Sequence, residues 1–237
     1  MKSAKGAWLS VLCLFGVLLF TGLGIWQVQR LFWKRDLIAR VETRIHLPPA
    51  MLPTQREWAT LNFSDAEYRR VQVRGVFLHD RETWVDALTE RGPGAWILTP
   101  VATQEGVVLV NRGFVPPDRR DAGTRIDGQI AGEVMITGLL RLSEPKGRIL
   151  RPNDPAADRW FSRDVAAIAA RRGLTNVAPF FIDADATPNR GGLPVGGLTV
   201  VAFRNAHLAY AITWFLLAVM CVAGFILVGS NKPGYIR

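Results

Sequence analysis

The feature that most constrains this chain is a pair of long charge-free runs, one near each end. Ala7 to Val28 and Leu208 to Gly229 each hold 22 residues without Asp, Glu, Lys or Arg. A helix crosses the hydrocarbon core of a bilayer with about 20 apolar residues. We therefore predict a membrane hairpin of two transmembrane helices. The first run exceeds the about 7 to 15 residues of a signal-peptide core, and no A-x-A-like site follows it, so we expect an uncleaved anchor.

The two runs also set the domain boundaries that we predict for the 237-residue chain. The sequence after the first run continues to Ile45 without Gly or Pro, so we expect this helix to leave the membrane and end before Pro48. The predicted segments are a cytoplasmic tail at 1–6, a transmembrane helix at 7–28 that continues to about 45, an extracytoplasmic domain at 29–207, a second transmembrane helix at 208–229 and a cytoplasmic tail at 230–237.

The basic residues at the membrane boundaries give opposing signals for orientation. Short basic tails favour the cytoplasm, but the loop side of the first run is basic as well. The residues concerned are Lys2, Lys5, Lys232 and Arg237 in the tails and Arg30, Lys34, Arg35, Arg40 and Arg44 after the first run. Long loops cross membranes largely regardless of their charge, so we expect an extracytoplasmic loop. We assign the net charge of +9 to contact with membrane lipid and expect no nucleic-acid partner, because the loop mixes both signs at short intervals.

Short apolar or alternating runs dominate the segment between the spans. In 71–77, Val71, Val73 and Phe77 alternate with polar residues, which is the period of a half-buried strand. Similar runs lie at 83–88, 95–101, 107–114, 133–142, 180–184 and 198–203. We predict one short helix, capped by Ser162 and ending at Arg172. Because few long helices separate the strands, we predict an α+β domain that is β-rich, with an antiparallel sandwich or a barrel-like sheet.

The common catalytic and metal-binding signatures are missing from the sequence. It contains no G-x-S-x-G, H-E-x-x-H or G-x-x-x-x-G-K-[ST] motif, so we do not expect an enzyme. The spacing of His46, His79 and His207 matches no zinc motif. Both cysteines, Cys13 and Cys221, lie in apolar runs, where we expect them to pack as small apolar residues.

The residues with distinctive chemistry lie where the two helices meet the loop. One set follows a helical face of the first helix and the other a face of the second, and a hairpin brings these ends into one leaflet. The sets are Trp26, Arg30 and Trp33, and His207, Tyr210 and Trp214. Aromatic walls, a cation for carboxylates and an imidazole for iron are what a porphyrin site requires. A second interpretation is open: Trp and Tyr anchor helices at bilayer interfaces, Arg snorkels to head groups, and a His can bond a head group.

An ordered set of short motifs is spread over the chain. It consists of Gly24, Trp26, Gln27 and Arg30, then Tyr68, Val71, Val73, Gly75 and Phe77, Thr99-Pro100, Val110 to Pro116, Pro152-Asn153 and Trp160, and finally Asn205, His207, Leu208, Tyr210, Ala211, Thr213 and Trp214. In this order the motifs resemble those of the Surfeit-locus cytochrome c oxidase assembly family (Surf1/Shy1-type). The end of the first span is similar to the Gly-x-Trp-Gln-x-x-Arg signature of that family, and the start of the second is similar to its Asn-His-Leu-x-Tyr-Ala-x-Thr-Trp signature. Phe114 and Ala206 depart from the usual Trp and Asn.

The resemblance implies a non-catalytic assembly factor that transiently binds haem a and assists its insertion into the catalytic subunit of the oxidase. It implies His207 as the haem ligand and an extracytoplasmic loop, and haem a synthase is a further candidate partner. No Arg- and Ser-rich presequence precedes the first span, so we expect the bacterial inner-membrane version with a periplasmic loop.

Our hypothesis for the site is that His207 ligates the iron and Arg30 pairs with a propionate. Trp26, Tyr210 and Trp214 then wall the porphyrin. The alternative is a membrane-tethered scaffold that stabilises oxidase assembly intermediates without binding haem.

Overall fold

A computed structural model describes residues 4–148, 150–199 and 206–230 of the chain. The chain divides into two compact units, Met1–Arg40 together with Ala202–Arg237, and Val41–Val201. The predicted boundaries at the membrane and the cytoplasmic tails stay predictions.

Two long helices, α1 (Ala4–His46) and α5 (His207–Ser230), begin and end the described chain. Both are long and apolar enough, by length and composition, to cross a membrane. Large apolar side chains such as Trp8, Leu12 and Leu216 are exposed along them, which suits helices surrounded by lipid. The predicted pair of apolar helices flanking a β-rich region is confirmed. α1 ends two residues before Pro48, because proline lacks the N–H that would continue the helix.

Between these helices the chain forms nine strands and three short helices within the described residues. The strands are β1 (Ala50–Met51), β2 (Arg70–Phe77), β3 (Thr83–Thr89), β4 (Gly92–Thr103), β5 (Gly106–Val115), β6 (Glu133–Leu142), β7 (Gly147–Arg148), β8 (Arg151–Pro152) and β9 (Val177–Ala184). The helices are α2 (Gln55–Trp58), α3 (Phe63–Ala66) and α4 (Val165–Arg171).

Five of the strands close into a barrel-like sheet. Around the ring the order is β2, β6, β9, β5 and β4, and β4 pairs again with β2. β1 adds to β2 and β3 adds to β4 outside this ring. Most pairs are antiparallel, as predicted, but β5 and β9 run parallel, as do β1 and β2. The barrel-like alternative of the predicted fold is thus confirmed, with a mixed sheet.

A glycine permits the closure of the ring. β2 meets β4 only through Val76 opposite Ala102 and Phe77 opposite Val101. A Cβ atom on Gly75 would lie 2.2 Å from the backbone oxygen of Ala102. The two backbones therefore approach closely at this corner, as they do where glycines mark bends in sheets.

The alternation within the strands sorts their side chains between the two faces of the barrel wall. On one face Val71, Val73, Val108 and Phe180 belong to a single buried cluster. On the other face Leu109 and Phe181 pack with residues of α4 and with Trp160. β5 and β9 are therefore covered on both faces, which explains their nearly continuous apolar sequences.

The N-cap of α4 corrects the predicted helix start. Asp164, not Ser162, is the N-cap residue, and its side chain accepts a hydrogen bond from the N–H of Ala167. The hydroxyl of Ser162 instead donates to the backbone oxygen of Glu144 at 2.6 Å. Asp and Ser are about equally favourable at the N-cap. The residue type alone therefore could not decide between Ser162 and Asp164.

The remaining predicted strand, 198–203, lies mostly outside the described residues, and the two described positions, 198 and 199, are not in a strand. The other predicted strands are all present, and 180–184 extends back to Val177. β1, β7 and β8 were not predicted, because two residues are too few to show a period.

Candidate functional site

Small residues form the contact between α1 and α5. Gly16 and Gly24 on α1 and Ala211 on α5 are buried. A Cβ atom on Gly24 would lie 2.6 Å from Cε1 of Phe215, and one on Gly16 would lie 2.7 Å from the sulfur of Cys221. Small residues at such spacings let helix backbones approach closely in membranes. We call this contact the glycine seam.

At the end of the seam nearest residue 207, two polar side chains from the two helices meet. Nδ1 of His207 and Oε1 of Gln27 are 2.8 Å apart. Gln27 is 9% exposed. It follows Gly24 by three positions and precedes the buried Leu31 by four, so it lies on the face of α1 that forms the seam. His207 is the first residue of α5 and is half-buried.

This hydrogen bond determines which nitrogen of His207 can bind a ligand. Oε1 of Gln27 is an acceptor, so the proton belongs on Nδ1 of the imidazole. In the neutral ring Nε2 then keeps its lone pair. Metal-binding histidines commonly donate their other ring N–H to an oxygen, which fixes the ring orientation and raises the basicity of the ligating nitrogen. The pair therefore holds the imidazole of His207 in one orientation, with Nδ1 engaged by Gln27.

An aromatic contact lies next to this pair on the same faces. The rings of Phe20 and Trp214 are stacked, with centroids 5.7 Å apart and planes inclined by 19°. Trp214 follows His207 by seven residues, so both side chains lie on the side of α5 that faces α1. Of the predicted site residues, the structure therefore brings His207 and Trp214 together on the seam.

The other predicted site residues lie away from the seam. Trp26 is 54% and Tyr210 is 56% exposed. Arg30 is exposed too, and its guanidinium carbon lies 3.9 Å from the ring centroid of Trp33 on the same helix. The glycine seam determines the rotation of α1, and it directs the Trp26, Arg30 and Trp33 face outward. Gln27 was missed as a site residue, although its spacing from Gly24 was a usable signal.

A second polar cluster is buried in the β-rich unit. The carboxylate of Asp183, which is 1% exposed, accepts hydrogen bonds from Asn111 at 2.7 Å, Arg141 at 3.0 Å and Arg163 at 3.1 Å. Arg163 also pairs with Glu144 at 2.5 Å. We call these residues the Asp183 cluster. Its carboxylate is fully paired, so the cluster joins β5, β6 and β9 and has the character of a structural network.

Glu144 is the carboxyl of this cluster whose charged form is favoured. Burial raises the pKa of Glu144, but the hydrogen bonds and the charge of Arg163 outweigh it, so that the pKa is below its ordinary value.

Within the described part of the chain, no group of three His, Cys, Asp or Glu side chains is arranged to hold a metal ion. Cys13 and Cys221 are free thiols, and Cys221 packs at Gly16 in the seam.

Comparison with known proteins identifies the family. A sequence model described as the SURF1 family matches residues 14–219. The chain is 40% identical to human Surfeit locus protein 1 over 226 residues, which cover 88% of this chain and 73% of the human protein. It is 39% identical to the rat protein of the same name, over 82% of this chain and 67% of that protein. A SURF1-like protein of Monosiga brevicollis is 36% identical, over 90% and 85% respectively. The chain therefore belongs to the SURF1 family, and this membership implies a role in cytochrome c oxidase assembly.

Proposed function

We propose that the protein binds haem a at the seam end that carries His207 and assists its insertion into the catalytic subunit of cytochrome c oxidase. The observation that carries this proposal is the hydrogen bond from His207 to Gln27, which leaves Nε2 as the basic nitrogen. An oriented imidazole at the boundary of an apolar helix is suited to iron, and ionisable residues at such positions mark functional sites.

The chemistry of the surrounding residues fits haem as a cargo. Haem brings an iron that accepts an imidazole and two propionates that require cations. His207 supplies the imidazole, and Arg30 supplies a planar guanidinium suited to a carboxylate. Trp214 supplies an aromatic surface, held by its stacking on Phe20. Trp26 and Tyr210, which are exposed, are available to cover the porphyrin from outside the seam.

A single axial ligand suits a protein that must release what it binds. His207 is the only one of the three histidines within Met1–Arg40 and Ala202–Arg237. This unit therefore offers one imidazole to iron, whereas firmly held cytochromes use two strong axial ligands. The role is binding and transfer, with no catalytic step assigned to the chain.

We place the protein in a bacterial inner membrane with the β-rich unit in the periplasm. The two apolar helices support the membrane location. The proposed partners are the catalytic subunit of the oxidase, which receives haem a, and haem a synthase, which supplies it. Membrane lipid surrounds the helices.

A second candidate function follows from the outward direction of the Trp26, Arg30 and Tyr210 side chains. Exposed aromatic and arginine side chains are typical of protein contacts. A scaffold that stabilises assembly intermediates would use this surface to bind an oxidase subunit and would not need His207.

The experiment that separates the two functions is the absorption spectrum of the full chain, co-expressed with haem a synthesis and purified in detergent. We expect haem a bound to the parent and lost or spectrally shifted in His207→Ala. His46→Ala is the matched control, because His46 is exposed near the end of α1. A colourless parent that still co-purifies with an oxidase subunit would support the scaffold and refute the haem proposal.

A further inference from the structure

A buried arginine without a matching acid lies in the β-rich unit. Arg112 on β5 is 1% exposed. Its Nη2 donates to the backbone oxygen of Gly128 and to Oδ1 of Asn189, the latter at 3.1 Å. Its Nε and Nη1 are buried and have no hydrogen-bond partner among the described residues. A guanidinium remains protonated in proteins, so a full positive charge is held in the interior.

Glu82, whose charge attracts Arg112, does not balance this charge. Glu82 pairs with Arg125 through two hydrogen bonds, one of 3.1 Å. Its attraction for Arg112 is opposed by the repulsion from Arg125. Burial accordingly lowers the pKa of Arg112 to about 10. An unpaired buried charge is costly. In contrast to Arg112, the buried Arg125 has an acidic partner in Glu82.

Arg112 lines a cavity of about 260 Å³. Most of the remaining wall is apolar, with Phe77, Ile130, Met135 and Pro188 among its residues. The ring centroid of Phe77 lies 4.7 Å from the guanidinium carbon. Asp185 also lines the cavity, but it lies 3.7 Å from Arg70 and accepts a hydrogen bond from the backbone of Thr187. The charge that distinguishes the cavity is therefore that of Arg112.

We propose that this cavity is a second ligand site, which binds a carboxylate carried on a short apolar chain, with Arg112 as the residue that pairs with it. The ligand directs its carboxylate toward the guanidinium of Arg112, which lines the cavity, and its apolar part against Phe77 and Ile130. The volume is below the about 300 to 1,000 Å³ of pockets that enclose whole drug-sized ligands. The site therefore suits a small acid or the terminal residue of a partner chain, and it is independent of the haem proposal.

The test is the binding of hexanoate to the full chain in detergent, measured by titration calorimetry and compared with neutral hexanamide. We expect the parent to prefer hexanoate by about tenfold, because hydrogen bonds to charged groups are the stronger ones. Arg112→Gln should abolish this preference. Arg91→Gln, at an exposed position, is the control and should keep it. Equal binding of the two probes would overturn the proposal.

A second variant keeps the test valid if Arg112→Gln does not fold. Met135 lines the cavity but is 56% exposed, so Met135→Glu adds a negative charge at the rim without disturbing the core. It should weaken hexanoate binding and leave hexanamide binding unchanged, and an unchanged hexanoate affinity would overturn the proposal.

Peptides distinguish the two sources of the carboxylate. Acetyl-Ala-Leu with a free carboxylate is compared with its amide. If the peptide with a free carboxylate binds more tightly than hexanoate, the natural ligand is the C-terminus of a partner protein. If the peptide binds more weakly than hexanoate, the natural ligand is a small organic acid. If neither hexanoate nor the peptide acid binds, the site does not exist.

Discussion

Gln27 accepts a hydrogen bond from His207, and the two residues are 180 positions apart in sequence. This contact orients the imidazole and joins the two apolar helices at one end. It makes the chemistry of His207 depend on a neighbour that carries no charge and no metal-binding group of its own.

The role of Gln27 is tested by Gln27→Leu, which keeps the size of the side chain but removes the acceptor. If His207 ligates the haem iron as proposed, we expect haem a retention about 10- to 100-fold weaker than in the parent, which is the usual loss when the hydrogen-bond partner of a metal-binding histidine is removed. Equilibrium transfer of haem to apomyoglobin measures this. Gln29→Leu is the control because Gln29 is exposed on the same helix. If Gln27→Leu and Gln29→Leu lose haem retention to the same extent, Gln27 does not orient His207.

The role of Arg30 is tested by Arg30→Lys, which keeps the charge but loses the planar fork and the stacking on Trp33. If Arg30 pairs with a propionate, the variant should retain less haem in the same assay. Arg35→Lys, at another exposed position, should match the parent. Unchanged retention in Arg30→Lys would assign Arg30 to the lipid head groups.

The glycine seam predicts opposite effects of one substitution at two neighbouring glycines. Ala at Gly24 forces a contact with Phe215, whereas a Cβ atom at Gly22 meets nothing within 4 Å. Gly24→Ala should therefore lower the free energy of unfolding in detergent, obtained from thermal unfolding, by about 1 to 3 kcal/mol. Gly22→Ala should raise it by about 0.5 to 1 kcal/mol through the lower entropy of the unfolded chain. Effects of the same sign would contradict the close approach at Gly24.

The Asp183 cluster should dominate the stability of the β-rich unit. Asp183→Asn removes the charge that faces Arg141 and Arg163, and we expect a loss of about 3 to 5 kcal/mol in free energy of unfolding. Urea unfolding of the detergent-solubilised chain measures this loss. Asp118→Asn, at a side chain that is 75% exposed, should change the free energy by less than about 0.5 kcal/mol. Comparable effects at the two sites would show that the cluster is not a stabilising network.

Glu144 should contribute to acid sensitivity. Its pKa in the folded chain is below the ordinary value of 4.5, so the unfolded chain binds a proton more readily. This stabilisation is complete above pH 4.5 and is lost as the pH falls through the lower folded pKa. Melting temperatures between pH 3 and pH 6 should therefore fall more steeply for the parent than for Glu144→Gln. If the melting temperatures of the parent and of Glu144→Gln fall equally with pH, Glu144 does not contribute to acid sensitivity.

Much of the fold could be predicted from local patterns. The charge-free runs predicted both long helices, and the period-two alternation predicted the main strands of the ring. The parallel pairing of β5 with β9 could not be predicted, because Leu109 and Phe181 are brought together only by the closed sheet. Gly173 led us to predict the end of α4 at Arg172, one residue beyond the observed end at Arg171. The choice of Asp164 as its N-cap depended on contacts elsewhere in the fold.

The candidate site was less accessible to sequence reasoning, because its geometry depends on the rotation of α1. Aromatic and charged residues drew attention to Trp26 and Arg30. The rotation is set by Gly16 and Gly24, whose missing side chains allow the close contact with α5. Gln27 shares their face. Small residues were thus better indicators of the inner face than the chemically distinctive residues were.

The position of β9 in the ring has a consequence for the order of folding. β9 lies between β5 and β6, yet it is the last strand of the ring to be synthesised. Until Ala184 has emerged, both of these neighbours have an unpaired edge, and Asp183 is not yet available to Arg141 and Arg163. The barrel closes late in synthesis, shortly before α5 follows. A chain interrupted before β9 therefore exposes two strand edges that would favour aggregation.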